Sequence, residues 1–136
     1  MSYALSGAFQ TAIYERLHND PGLTGLIGDA VFDAVPEGSL PETYVLLGTE
    51  TAKDASDATG AGAELRFVVS VVTRAPGFVT AKSVASMICD LLHGMTPALS
   101  RGHVVDMAFL KANARRIDGA AGRQIDLQFR ARLAEA

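Results

Sequence analysis

Residues 123–136 read RQIDLQFRARLAEA, and their polarity alternates almost without fault. Ile125, Leu127, Phe129, Ala131 and Leu133 face one way, while Gln124, Asp126, Gln128, Arg130 and Arg132 face the other. A period of two belongs to a strand with one face on a core and the other away from it. The rest of the chain must then supply a sheet, an apolar covering layer, and a use for the polar positions. Water, a channel or a partner could meet them.

A second run, AELRFVVSVVTR (63–74), strengthens the sheet. Leu65, Phe67, Val69 and Val71 share one face; Arg66, Val68, Ser70, Val72 and Arg74 share the other. Two largely apolar faces predict a central strand covered on both sides, at least in part. TYVLLGTE (43–50) and the shorter AVFDAV (30–35) read as further strands, with PEGSLP (36–41) between them. Pro41 biases Leu40 towards extended geometry and feeds the chain into the next strand. HVVDMAFLKANARRI (103–117) is ambiguous between helix and strand. The glycine-rich turn DGAAG (118–122) and the clear strand after it decide for a strand.

Helical periodicity appears at Leu5, Ala8, Phe9, Ala12, Ile13 and Leu17, a stripe that Ser2 or Ser6 could cap and NDPG (19–22) would stop. LTGLIG (23–28) reads as one short helical turn. A second full helix, 78–93, carries Ala81, Val84, Ala85, Ile88, Leu91 and Leu92, with Gly94 at its C′ position. The order helix, short helix, three strands, helix, two strands predicts an α+β fold. It is a mostly antiparallel sheet of about five strands with two main helices on one face, in a single domain spanning 1–136.

The stretch TAKDASDATGAG (51–62) has no large apolar side chain, yet it lies between two good strands. It is expected to be a long loop, too polar and too rich in glycine and alanine to order itself. Charge is also unevenly spread. Residues 1–100 carry 5 Lys/Arg against 11 Asp/Glu, and residues 101–136 carry 7 against 4. The two parts could attract within one molecule or between molecules packed head to tail. The overall charge of −3 argues against a general nucleic-acid binder.

Chemistry-bearing patterns are sparse. Cys89 and His93 share a helix face, a spacing open to metal ligation or thiol chemistry. His18 and His103 add no ligand pattern, and Cys89 borders an apolar stripe, so packing is the favoured reading. DASDATG (54–60) lacks calcium-loop spacing. GAG (60–62) opens a strand, not a phosphate-cradling helix. Asp29, Asp33, Glu37 and Glu42 read as a solvated edge. Arg115, Arg116, Arg130 and Arg132 form a basic group without interleaved aromatics, which disfavours specific single-strand binding. The single cysteine allows no internal disulfide. The N-terminus lacks signal-peptide patterning, and no apolar run is long enough for a membrane span, so cytoplasmic assembly is expected.

The order of segments is itself informative. LSGAFQTAIYERLHNDPGLTGLIGDAVFDAVPEGSLPETYVLLGTE, then a polar loop, a strand, GFVTAKSVASMICDLLHG and a closing strand pair resemble the phage tail-completion family. Tyr14, Val35–Pro36 and Pro41–Glu42–Thr43–Tyr44–Val45–Leu46–Leu47–Gly48 carry most of the resemblance. The alanine-rich version here is most similar to the tail terminators of gene transfer agents, which are phage-like particles. The resemblance implies a hexameric ring that ends tail-tube growth and meets the head-neck complex. Its implied partners are further copies of itself, tail-tube protein, and a stopper or adaptor protein of the neck. DNA would pass through the ring without specific binding, and no membrane, catalysis or cofactor is implied. Under this reading Gln124, Asp126, Gln128, Arg130 and Arg132 line the lumen. Lys53, Asp54, Ser56, Asp57 and Thr59 form a partner-binding loop on the tube or an adjacent subunit. The alternatives are a head-completion or stopper protein, a small α+β enzyme using Cys89, or a DNA-binding module.

Overall fold

The computed structural model describes residues 3–58, 60–117 and 122–135. Helix α1 (Ser6–His18) and the short α2 (Pro21–Ile27) are followed by β1 (Val31–Phe32), β2 (Thr43–Asp54) and β3 (Gly62–Thr73). Helix α3 (Val79–Leu92), β4 (His103–Ile117) and β5 (Gly122–Ala134) complete the chain. The five strands form one sheet in the order β1-β2-β3-β5-β4, with only the β1–β2 pair parallel. The α+β architecture expected from the sequence is therefore observed, and 103–117 is a strand throughout.

The core forms where the apolar stripes of the helices meet the apolar face of the sheet. Phe9, Ile13 and Leu17 of α1 and Ala81, Val84, Ile88 and Leu92 of α3 are buried in one cluster with Leu65, Val69, Val71, Leu127 and Phe129. Phe67 packs edge-on to Phe9 at 5.1 Å and stacks on Phe129 at 5.4 Å. Each such side chain contributes roughly 1.5–3 kcal/mol through removal from water. β3 is central, as its residues predicted. Val72 and Ser70 on its second face are also buried, Ser70 against Asp126 of β5, but the helices lie on the other face, so the expected cover on both sides is not a second layer.

Local chemistry sets the helix boundaries, with one correction. Asn19 is the C-cap of α1, and the Asp20 carboxylate accepts from the Leu23 amide at 2.9 Å, opening α2 with Pro21 in its first turn. NDPG thus ends one helix and starts the next, and the second is longer than the turn predicted for 23–28. Ser6 does not cap α1: Leu5 is the N-cap and no side chain caps it. Ser6 lies inside the first turn, and its hydroxyl donates to Glu50 Oε1 at 2.5 Å. Ser2 lies outside the described residues. Gly94, at φ 74°, follows α3 as expected.

Two strand boundaries also differ from expectation. The strand expected over 30–35 is only Val31–Phe32, because the chain then turns away towards Pro36, which has no N–H to offer a ladder. The long loop of 51–62 shrinks to 55–61. Residues 51–54 extend β2, with Thr51↔Arg66, Ala52↔Leu65, Lys53↔Glu64 and Asp54↔Ala63 in register. Pairing to an already fixed β3 overrides the low strand propensity of this stretch. A bulge between Leu47 and Glu50 keeps the register in phase. Gly62 begins β3 where a Cβ would lie 2.9 Å from the Leu133 carbonyl oxygen, so a side chain has no room there. Of the DGAAG turn, 118–121 lie outside the described residues.

Candidate functional site: the polar face of the sheet

The three helices pack on one side of the sheet, and the other side carries an ordered array of polar side chains. Register and alternation place these in rows running across the strands. One row is Lys53, Glu64, Arg132 and Asp106, alternating in sign from β2 to β4. Next is Thr51, Arg66, Arg130 and Ala108, in which Arg66 and Arg130 are directly paired. Beyond them come Val68, Gln128 and Lys111, then Leu46, Ser70, Asp126 and Asn113, then Tyr44, Val72, Gln124 and Arg115. Gln124, Asp126, Gln128, Arg130 and Arg132 therefore share one face, as β5 alternation predicted. The sequence reading missed that Glu64, Asp106, Lys111 and Asn113 complete it. Their signal lay in the register between strands, which no single strand reveals.

Electrostatics on this face are local and mixed. Asp126 is its most engaged group. Ser70 Oγ donates to Oδ1 at 2.6 Å, Gln124 Nε2 donates at 2.8 Å, and Arg115 Nε lies 3.5 Å from Oδ2. Partial burial alone would push this carboxyl up. The two donated hydrogen bonds and the Arg115 charge outweigh it and hold the group below the usual carboxylate range. Glu64 is also held low, chiefly by the hydrogen bond from Arg66 Nε at 3.1 Å. A shallow groove of about 410 Å³ runs between these rows, lined by Gly48, Thr49, Ser70, Lys111, Asn113 and Gln124 among others. The four-arginine group of the sequence reading is dispersed. Arg115 pairs with Asp126, Arg130 and Arg132 sit in separate rows, and Arg116, opposite Arg123, falls on the helix side.

The expected partner-binding loop is placed differently. Lys53 and Asp54 are the end of β2, Ser56 and Asp57 lie in the turn, and Thr59 lies outside the described residues. The described part of the turn orders itself, contrary to expectation. Ser56 Oγ donates to Asp54 Oδ1 at 2.7 Å and accepts from the Gly62 amide at 3.2 Å. The Ser56 hydroxyl also holds the Asp54 carboxyl below its usual value. The Ala55 amide donates to the Gly62 carbonyl at 3.0 Å. Arg132 Nη2 donates to the Ala55 carbonyl at 3.1 Å and lies 3.7 Å from Asp57 Oδ2. Short polar side chains bonding to nearby backbone supply what apolar burial does not. The two predicted residue sets thus meet at Arg132, and this contact joins the acidic first part of the chain to the basic last part.

Cys89 and His93 do not form a reactive pair. Burial, then the neighbouring Asp90, push the thiol up, and His93 Nδ1 accepts the Phe109 amide at 3.0 Å beside the β4 bulge. No metal-ligand cluster occurs among the described residues.

The described structure is thus a sheet with helices on one side and a mixed-charge layer on the other. The sequence profile of the tail completion protein gp17 family matches residues 11–134, and the chain belongs to that family. A chain solved in the virion of a native gene transfer agent particle is 53% identical, with a TM-score of 0.92. That alignment covers 98% of this chain and 99% of the other. No curated protein sequence matches. Membership of that family, with this likeness over nearly the whole chain, makes the protein a structural virion component of the tail.

Proposed function

We propose that copies of this chain close into a hexameric ring that caps the tail tube and joins it to the head-neck complex. The polar sheet face lines the bore. The likeness to a gene transfer agent virion chain over nearly the full length of both carries this reading. The character of the polar face supports the bore. Its rows alternate or mix charge, and their one aromatic among the described residues, Tyr44, is buried and offers no stacking platform. A strongly basic wall would hold phosphates through counterion release, whereas a mixed one lets DNA slide. The described part of the tip at 55–61, set by its hydrogen bonds, would be a preformed contact on the tube or an adjacent subunit through Lys53, Asp54, Ser56 and Asp57, with Thr59 a further member of the proposed contact.

The test is imaging of particles from cells lacking this gene. Tails of uncontrolled length that remain separate from filled heads are expected. Tails of normal length joined to heads, or the chain found between portal and adaptor, would overturn the reading. Deleting 55–60 tests the tip separately: normal tail length and joining in that variant would reduce it to a spacer.

A further inference from the structure

The two ends of the sheet are unlike in cover and in charge. At one end lies β4. Its first half is covered at the edge: the Gly94 amide donates to the Met107 carbonyl at 2.7 Å, His93 accepts the Phe109 amide, and Ala98 bridges to His103. Its second half, LKANARRI (110–117), has no such cover among the described residues. Residues 110–116 are exposed without a break, so both faces of the strand and its outer edge meet solvent together. A long bare edge of this kind is a template for another chain. Lys111, Arg115 and Arg116 make it basic, and no carboxylate interrupts 110–117. Of these, only Arg115 has an ion-pair partner among the described residues.

At the other end lies the two-residue β1, flanked by a segment of one sign. Asp20, Asp29, Asp33, Glu37 and Glu42 follow one another with no Lys or Arg between them. A groove of about 400 Å³ runs along β1 beside α1, lined by Tyr14, Glu15, Phe32 and Asp33 among others. Asp33 meets only the neutral Gln10 amide, at 3.4 Å, and neither Asp33 nor Glu15 has a cation in reach among the described residues. Tyr14 at the groove wall is exposed, with one face of its ring stacked on His18 at 5.3 Å.

We infer that the basic outer half of β4 in one copy docks into the acidic groove beside β1 in the next. The occupant is a second copy because the complementary charge lies at the opposite end of the same sheet. A chain carrying both halves of a contact joins head to tail, and a rotation that closes gives a ring. This deepens the ring reading above and rests on it. Arg116, on the helix side of β4, reaches towards Glu15 and Asp33; Lys111 flanks the edge from the other face.

The test is a charge swap in particle-producing cells. One variant carries Lys111→Glu and Arg116→Glu, the other Glu15→Lys and Asp33→Lys. All four residues are at the surface, so each purified variant should match wild-type circular dichroism and melting. If one does not, its neutral counterpart replaces it, Lys111→Gln with Arg116→Gln or Glu15→Gln with Asp33→Asn, and is read by loss of self-association and joining alone, without the mixing arm. Like charges across an interface cost several kcal/mol, so self-association should weaken on the order of a hundredfold. Each variant alone should fail to join heads to tails, and producing both together should restore joining through alternating copies. Normal joining by either variant alone, or no restoration by the mixture, overturns the inference while leaving the ring itself standing. Particle images with one copy at the neck would remove both.

Discussion

The two faces of β5 share one backbone and one register, yet they obey different rules. On the helix side, Ile125, Leu127, Phe129, Ala131 and Leu133 are each no more than 3% exposed. On the other side, Gln124, Asp126, Gln128 and Arg130 are half-open to water and Arg132 is exposed. Shape governs the first face, because a close-packed interior registers the loss of even one methylene. Charge placement governs the second. Folding alone asks only that those positions be polar, so their particular order is free to serve an assembled tail.

The sharpest break of this comparison is Phe129→Ala. The ring is fully buried, stacked on Phe67 and edge-on to Phe109 at 5.8 Å. Truncation leaves a cavity between sheet and helices and should cost about 3–5 kcal/mol, read by denaturant unfolding. No substitution on the polar face should approach that. A cost under about 1 kcal/mol for Phe129→Ala would mean that the helix layer is not packed as described.

A smaller effect lies at Ser70 and Asp126, where the polar face comes nearest to having a structural role. Ser70→Ala removes one of three partners of a partly solvated carboxylate and should cost about 1 kcal/mol. The pH dependence has a definite sign. The folded state favours the ionised Asp126, so its contribution is complete above the unfolded carboxylate value of about 3.9. It drains away as pH falls through the lower folded value. Asp126→Asn should therefore lose stability less steeply than wild type below about pH 4. Melting curves across that range decide it; parallel slopes would mean that the Ser70, Gln124 and Arg115 contacts do not favour the charge.

Strand alternation made the sheet legible in advance, and with it both faces of β5. Helical stripes at Phe9–Leu17 and Ala81–Leu92 did the same for the covering layer. What the sequence concealed was non-local. Thr51–Asp54 has poor strand propensity and is held by its partner Ala63–Arg66, so local reading ended β2 too early. The turn after it was expected to lack order because it lacks apolar residues, but Ser56 and Arg132 order it by hydrogen bonds across long and short separations. The rows of the polar face depend on which residue of β3 meets which residue of β5. The charges of Glu64, Asp106 and Lys111 could be placed beside Gln124–Arg132 only once that register was known.

The mildest substitution carries the most information about use. Arg130 lies directly across from Arg66 on β3, and like charges in that position oppose each other. Arg130→Ala should therefore change unfolding free energy by less than about 0.5 kcal/mol, in either direction. A charge placed against a neighbour of its own sign, with so little expected bearing on stability, is one that the fold does not require. If the polar face lines a bore, the same variant should assemble and join heads to tails, and DNA delivery from intact particles should fall. If delivery matches wild type in Arg130→Ala, Arg132→Ala and the pair combined, this face meets solvent and the bore is built from another surface of the subunit.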